Sequence, residues 1–147
     1  MGQLFEQAEE DHLKSYHEMK SWIEVQRSSI PKKQQILDCM WVYLYKFDKH
    51  GCFLKCKARF VVQGDQQAAH LRESTYAATL AGRSFRALIT IAARFDLELI
   101  QYDAINAFVN AKLDEEVYMK MPSGYRCTGT ILKLDRALYG LRKSPLL

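Results

Sequence analysis

The chain has 147 residues, of which 48% are hydrophobic and 26% charged, with seven glycines and three prolines. This is the composition of one folded domain and excludes collagen-like, linker-like and disordered chains. No apolar run approaches the ~20 residues of a membrane-spanning helix, so no membrane partner is expected. The start, Met1-Gly2-Gln3-Leu4-Phe5-Glu6, lacks the basic region of a signal peptide, and Glu6 stands where a myristoylation signal needs Ser or Thr. The expectation is an intracellular protein, cytoplasmic or nuclear. Cys39, Cys52, Cys56 and Cys127 form no dense disulfide pattern. Cys52 and Cys56, four residues apart on a strand-like run, would lie about 13 Å apart, too far to share a disulfide or a zinc ion. His50 and His70 read as isolated turn and surface residues. The net charge of +4 is uneven: residues 1–24 carry six acids against two lysines, a net of −4, which leaves +8 on the remainder. The basic residues concentrate in Lys32–Arg59 and Arg126–Lys143, a distribution that suits a phosphate-bearing partner or an ordinary solvated surface.

In chain order, Leu4 to Met19 is rich in Glu, Gln, Ala and Lys, and predicts a surface helix. Ser21–Val25 predicts a short strand, closed by the polar stretch Gln26–Gln35 around Pro31. Met40–Phe47 is aromatic and β-branched, Asp48-Lys49-His50-Gly51 is a turn, and Phe53–Val62 alternates Lys55, Lys57 and Arg59 on one face. Together these predict a β-hairpin. Gly64 to Gly82 reads as loop. A helix follows from Ser84, the candidate N-cap, with Phe85, Leu88, Ile89, Ala92 and Phe95 at helical spacing. Leu97–Asp103 predicts a strand, Ala104–Asn110 a turn or short helix, Glu116–Met119 a strand, Pro122-Ser123-Gly124 a turn and Ile131–Leu134 a strand. Ser144-Pro145 reads as a helix start with nothing behind it, which suggests truncation. Helices and strands mix without a βαβ rhythm, so the fold class is α+β.

No phosphate loop, catalytic Ser/His/Asp order, HExxH or zinc spacing is present. What remains is Asp103 at the end of an apolar run. A carboxylate there needs pairing, hydrogen bonds or a cation, or else it caps the next turn. The wider string Gln101-Tyr102-Asp103-Ala104-Ile105-Asn106-Ala107-Phe108-Val109-Asn110, followed by Leu113–Met119 and Met121-Pro122-Ser123-Gly124-Tyr125, closely resembles the core of copia-type retrotransposon reverse transcriptases. Trp41-Val42-Tyr43, Lys57–Gly64 and Leu138-Tyr139-Gly140-Leu141-Arg142-Lys143-Ser144-Pro145 extend the resemblance, in order and spacing, over about residues 20 to 147.

The resemblance implies an incomplete right-hand polymerase: an antiparallel sheet with packed helices, divided into residues 1–30 (N-terminal helix and short strand), 40–82 (fingers hairpin and loop), 83–121 (helix and first palm strand) and 122–147 (start of the next motif). It implies RNA-directed DNA polymerisation assisted by two Mg2+ ions, with an RNA or DNA primer–template and deoxynucleoside triphosphates as partners. Asp103 matches the first metal-binding aspartate, and the Ala104 carbonyl would complete that side. Phe108 matches an aromatic gate against a 2′-hydroxyl; a core Phe starting a helix fits the same pattern. Lys57 and Arg59 match the basic strand that meets the triphosphate, with the contacting residue of the two left open; a solvated hairpin face is the alternative. Tyr139 and Gly140 match a segment beneath the nucleotide, though Tyr-Gly alone is a turn. The family's paired aspartates have no counterpart, for this sequence has no Asp-Asp. The chain is therefore expected to be an inactive N-terminal portion lacking its C-terminal partner, or a non-enzymatic basic nucleic-acid-binding remnant. The region after Gly82 is expected to be loosely held.

Overall fold

The computed structural model describes residues 2–67 and 80–147. Helix α1 (Gly2–Glu18) is followed by β1 (Trp22–Gln26), the two-residue β2 (Ile36–Leu37), β3 (Cys39–Phe47), β4 (Phe53–Val62), α2 (Gly82–Arg94), β5 (Lys112–Lys120) and β6 (Thr130–Arg136). The order β1-β6-β5-β2 makes a four-stranded sheet, and β3 and β4 pair separately as a hairpin. β1–β6 and β6–β5 are antiparallel, whereas β2–β5 is parallel. The sheet is therefore mixed rather than wholly antiparallel, because the short β2 enters from the Pro31 connection and needs no reversal to reach β5.

The hairpin forms as its pattern predicts. Trp41 sits opposite Phe60, Tyr43 opposite Ala58 and Leu44 opposite Lys57. The Asp48 carboxylate accepts the backbone N–H of His50 and of Cys52, each at 2.8 Å, and closes the turn. Along β4, Cys56, Ala58, Phe60 and Val62 are buried while Lys57, Arg59 and Val61 are half-buried on the other face, the period-two alternation of a strand. Of the buried set, Phe60 and Val62 join Tyr16, Leu37, Cys39, Val109, Val117, Met119, Leu132, Leu134, Leu138 and Leu141 in one core. Tyr118, between Val117 and Met119, turns to the opposite face of the sheet and packs with Ile30 and Ile131.

α1 is more than a surface helix. Tyr16 is fully buried, and Phe5, near the other end of the helix, meets Tyr43 at 4.9 Å and Tyr45 at 5.2 Å between ring centres. The helix ends at a left-handed Lys20 (φ 52°), beyond which the Ser21 hydroxyl donates to the Tyr16 carbonyl at 2.7 Å.

Three sequence expectations change. The N-cap of α2 is Ala81, with no capping side chain, so Ser84 lies inside the helix. Residues 97–103 form no strand: Leu97, Leu99, Ile100 and Tyr102 are exposed, and among the described residues no strand lies beside them to complete a ladder. The loosely packed part is confined to about residues 80–105, since β5, β6 and the segment after them lie in the main core. His70 and most of the predicted Gly64–Gly82 loop fall outside the described residues. The chain closes on a 3-10 turn, Ser144–Leu146, with Pro145 in its first turn.

Candidate functional site

Arg59 and Lys57 project from the half-buried face of β4. The Arg59 guanidinium carbon lies 5.7 Å from the centre of the Tyr139 ring, a cation–π geometry. Tyr139 in turn meets Phe108 edge-to-face at 4.7 Å. Arg59, Tyr139 and Phe108, separated by up to 80 positions in sequence, therefore form one continuous group. Beside it, Ala107, Phe108, Asn110, Ala111, Ser144 and Pro145 line an open cleft of about 360 Å³.

Each member is held by backbone features the sequence encodes. The segment carrying Tyr139 runs along the end of β4, where the Val62 N–H donates to the Tyr139 carbonyl at 2.8 Å. Gly140 (φ 96°) makes that approach possible: a Cβ there would lie 2.8 Å from Val61 Cγ1 and 3.0 Å from the Val62 carbonyl carbon. Gly64 lies against the Gly140 carbonyl in the same manner. Arg142 closes this junction, its Nε donating to the Gly64 carbonyl at 3.1 Å and its NH2 group to the Asp65 carbonyl at 3.3 Å. Gly140 thus sits at a contact between two backbones, not facing the cleft. Phe108 is half-buried on the 3-10 turn Ala107–Asn110, which the buried Val109 anchors.

Asp103 is exposed in the irregular segment before that turn. It is near enough to Lys57 for its negative charge to act on the ammonium. Lys57 is held below the usual lysine range, first by burial and then by the charges of Arg59, Lys46 and Lys55, while Asp103 opposes them. Of the expected site residues, Arg59, Tyr139 and Phe108 are thus in contact with one another, and Lys57 shares the β4 face of Arg59, whereas Asp103 touches none of them.

Sequence reasoning read α1 as a surface helix and missed its approach to this group. His12 is pushed down to about 4 by burial, then by the charges of Lys57 and Arg59. Burial also raises Tyr16 above the usual tyrosine range, with Tyr139 adding to the shift and Arg59 opposing it. The readable signal was the spacing of His12, Ser15, Tyr16 and Met19 along one helix face.

Residues 20–147 match the family model described as reverse transcriptase (RNA-dependent DNA polymerase). The chain belongs to the reverse transcriptase family. It is 34% identical over 120 residues, 79% of its length, to the retrovirus-related Pol polyprotein from transposon TNT 1-94 of Nicotiana tabacum. It is 30% identical over 119 residues, 78% of its length, to the corresponding polyproteins from transposons RE1 and RE2 of Arabidopsis thaliana. These matches bear out the copia-type resemblance. The aligned region covers 9% of the first relative and 8% of the other two, so the chain spans a small part of each. No solved structure matches.

Reverse transcriptases generally use divalent metal ions. Among the described residues no three His, Cys, Asp or Glu side chains gather where an ion could sit. Asp103 belongs to no such cluster, so the described residues do not by themselves make a metal centre. Among the described residues no helix is long and apolar enough to cross a membrane.

Proposed function

We propose that this chain is the fingers and first palm segment of a copia-type reverse transcriptase, and that its Arg59–Tyr139–Phe108 group receives a deoxynucleoside triphosphate opposite an RNA or DNA template. The continuity of that group, with Lys57 and Asp103 at its margin, carries the reading. Lys57 and Arg59 would offset phosphate charge, and Arg59 is suited to a forked contact with two phosphate oxygens. Tyr139 supports the Arg59 guanidinium from beneath. The Phe108 ring, at the wall of the open cleft, would stand against the sugar and leave no room for a 2′-hydroxyl. Asp103 and the Ala104 carbonyl are hard oxygen donors of the kind Mg2+ takes, and would supply one side of its site. Completing that site requires carboxylates that the described residues do not bring, and on this reading the chain alone does not polymerise DNA.

The test pairs binding with primer extension. Fluorescence anisotropy should show weak primer–template binding with little sequence preference, falling with salt at a slope of about −0.9 per phosphate contact on duplex DNA. Replacing both Lys57 and Arg59 by Ala should weaken it, and Tyr139→Ala should weaken it by removing the support of Arg59. With Mg2+ or Mn2+, primer extension should not exceed that of Asp103→Ala; template-dependent incorporation above that control would overturn the expected inactivity. Salt-dependent binding indifferent to Arg59 and Tyr139 would instead mark a non-enzymatic basic nucleic-acid-binding protein.

A further inference from the structure

α1 lies before the residues that match the family, and none of the roles above uses it. Its His12, Ser15, Tyr16 and Met19 recur at the spacing that places side chains on one face of a helix. That face reaches both parts of the candidate site. The His12 ring lies 4.2 Å from Tyr16 and 6.0 Å from Trp41, beneath the hairpin that carries Lys57 and Arg59. At the next position, the Ser15 Oγ accepts a hydrogen bond from the Asn106 Nδ2 at 2.9 Å, and the Met19 sulfur lies 3.9 Å from the same nitrogen.

Asn106 stands three residues after Asp103 and opens the turn that carries Phe108. Its backbone is left-handed, φ 50°, a conformation that Asn tolerates better than most residues. Residues 97–105 are exposed and lack a sheet ladder, so their own packing does little to place Asp103. The Asn106 amide ties the end of this segment to α1, and Tyr16, fully buried one residue on, fixes α1 to the core.

We propose that α1 is a positioning element for the Asp103 turn, the Ser15–Asn106 hydrogen bond setting where Asp103 stands relative to Lys57 and Arg59. Ser15 and Asn106 are positioning residues; neither is a catalytic residue. The bearing of this device on nucleotide transfer rests on the function proposed above, whereas the placement itself does not.

A cross-linker with an active ester for amines at one end and a diazo group for carboxylates at the other reads that placement across a spacer, without requiring the two groups to touch. The wild-type chain should yield a Lys57–Asp103 cross-link, quantified by mass spectrometry of the joined peptides. Ser15→Ala removes the acceptor. Asn106→Gly removes the donor while accepting the positive φ. Each should lower the yield about threefold or more, the effect of one hydrogen bond on a local equilibrium. Ser15→Thr, which keeps the hydroxyl, should restore it. The Lys120–Asp38 pair, at 2.7 Å, and the Lys133–Glu116 pair should couple equally in every variant. An unchanged Lys57–Asp103 yield would overturn the proposal. So would a parallel loss at the two control pairs, which would mark general unfolding. Primer–template binding measured on the same wild-type sample separates the two ideas: its absence would sink the proposed function while leaving the cross-link result intact.

Discussion

Gly140→Ala should be among the most damaging single substitutions in this chain, although it removes no side chain. At φ 96° an L residue is strained by about 1–2 kcal/mol before any contact is considered. The added Cβ would also press far inside van der Waals distance of the Val62 carbonyl oxygen, with Val61 Cγ1 at 2.8 Å. Both neighbours belong to β4, whose interior face is packed, so relief must come from moving the 139–141 segment outward. That movement breaks the 2.8 Å bond from the Val62 N–H to the Tyr139 carbonyl, and leaving one such group unpaired costs about 1–3 kcal/mol. It also loosens the fully buried Leu138 and the nearly buried Leu141. The total is about 3–5 kcal/mol, against the ~5–15 kcal/mol by which a domain is stable. Urea unfolding followed by fluorescence of Trp22 and Trp41 measures it, and with a slope of ~2 kcal/mol per molar the midpoint should fall by about 2 M. Gly124→Ala is the control, since Gly124 shares a positive φ of 91° but has nothing within 4 Å of its added Cβ. It should cost only the backbone strain, ~1–2 kcal/mol. Equal losses at the two positions would refute the claim that the 139–140 segment interlocks with β4.

Phe60→Ala, at a fully buried position, should cost about 3–5 kcal/mol, whereas Leu99→Ala, 65% exposed, should stay within about 0.5 kcal/mol in the same assay. A loss above ~2 kcal/mol at Leu99 would show that residues 97–103 are packed. His12 supplies a pH dependence: its folded value of about 4 lies below the ordinary 6.5, so the unfolded chain binds the proton more readily between them. Its contribution to stability is complete above pH ~6.5, is lost as pH falls toward 4, and amounts to about 1–3 kcal/mol. The difference in unfolding free energy between wild type and His12→Gln, followed from pH 7 to pH 4, should shrink accordingly; a pH-independent difference would contradict the burial of His12 as a neutral ring.

The sequence by itself determined every element whose hydrogen bonds and apolar face are closed locally. The β3–β4 hairpin is legible because Trp41, Tyr43, Ala58 and Phe60 alternate with Leu44, Lys57 and Arg59 around an Asp48–Gly51 turn. α1, β1, β5 and β6 are also legible from local patterns, although the ladder of β1 with β6 closes over more than 100 residues, and the motifs around Asp103, Lys57 and Tyr139 disclosed the family. Residues 97–103 carry the same kind of apolar pattern but form no strand. A ladder needs a neighbour, and pattern alone cannot state whether one stands alongside. For the same reason Gly140 read as a turn residue: its need for a bare Cα arises from Val61 and Val62, nearly 80 positions away. The joining of Arg59, Tyr139 and Phe108, and the hold of Ser15 on Asn106, are likewise decisions of tertiary structure. Those contacts close long loops, and their geometry exists only after the shared core of α1, β4 and the 138–141 segment has packed.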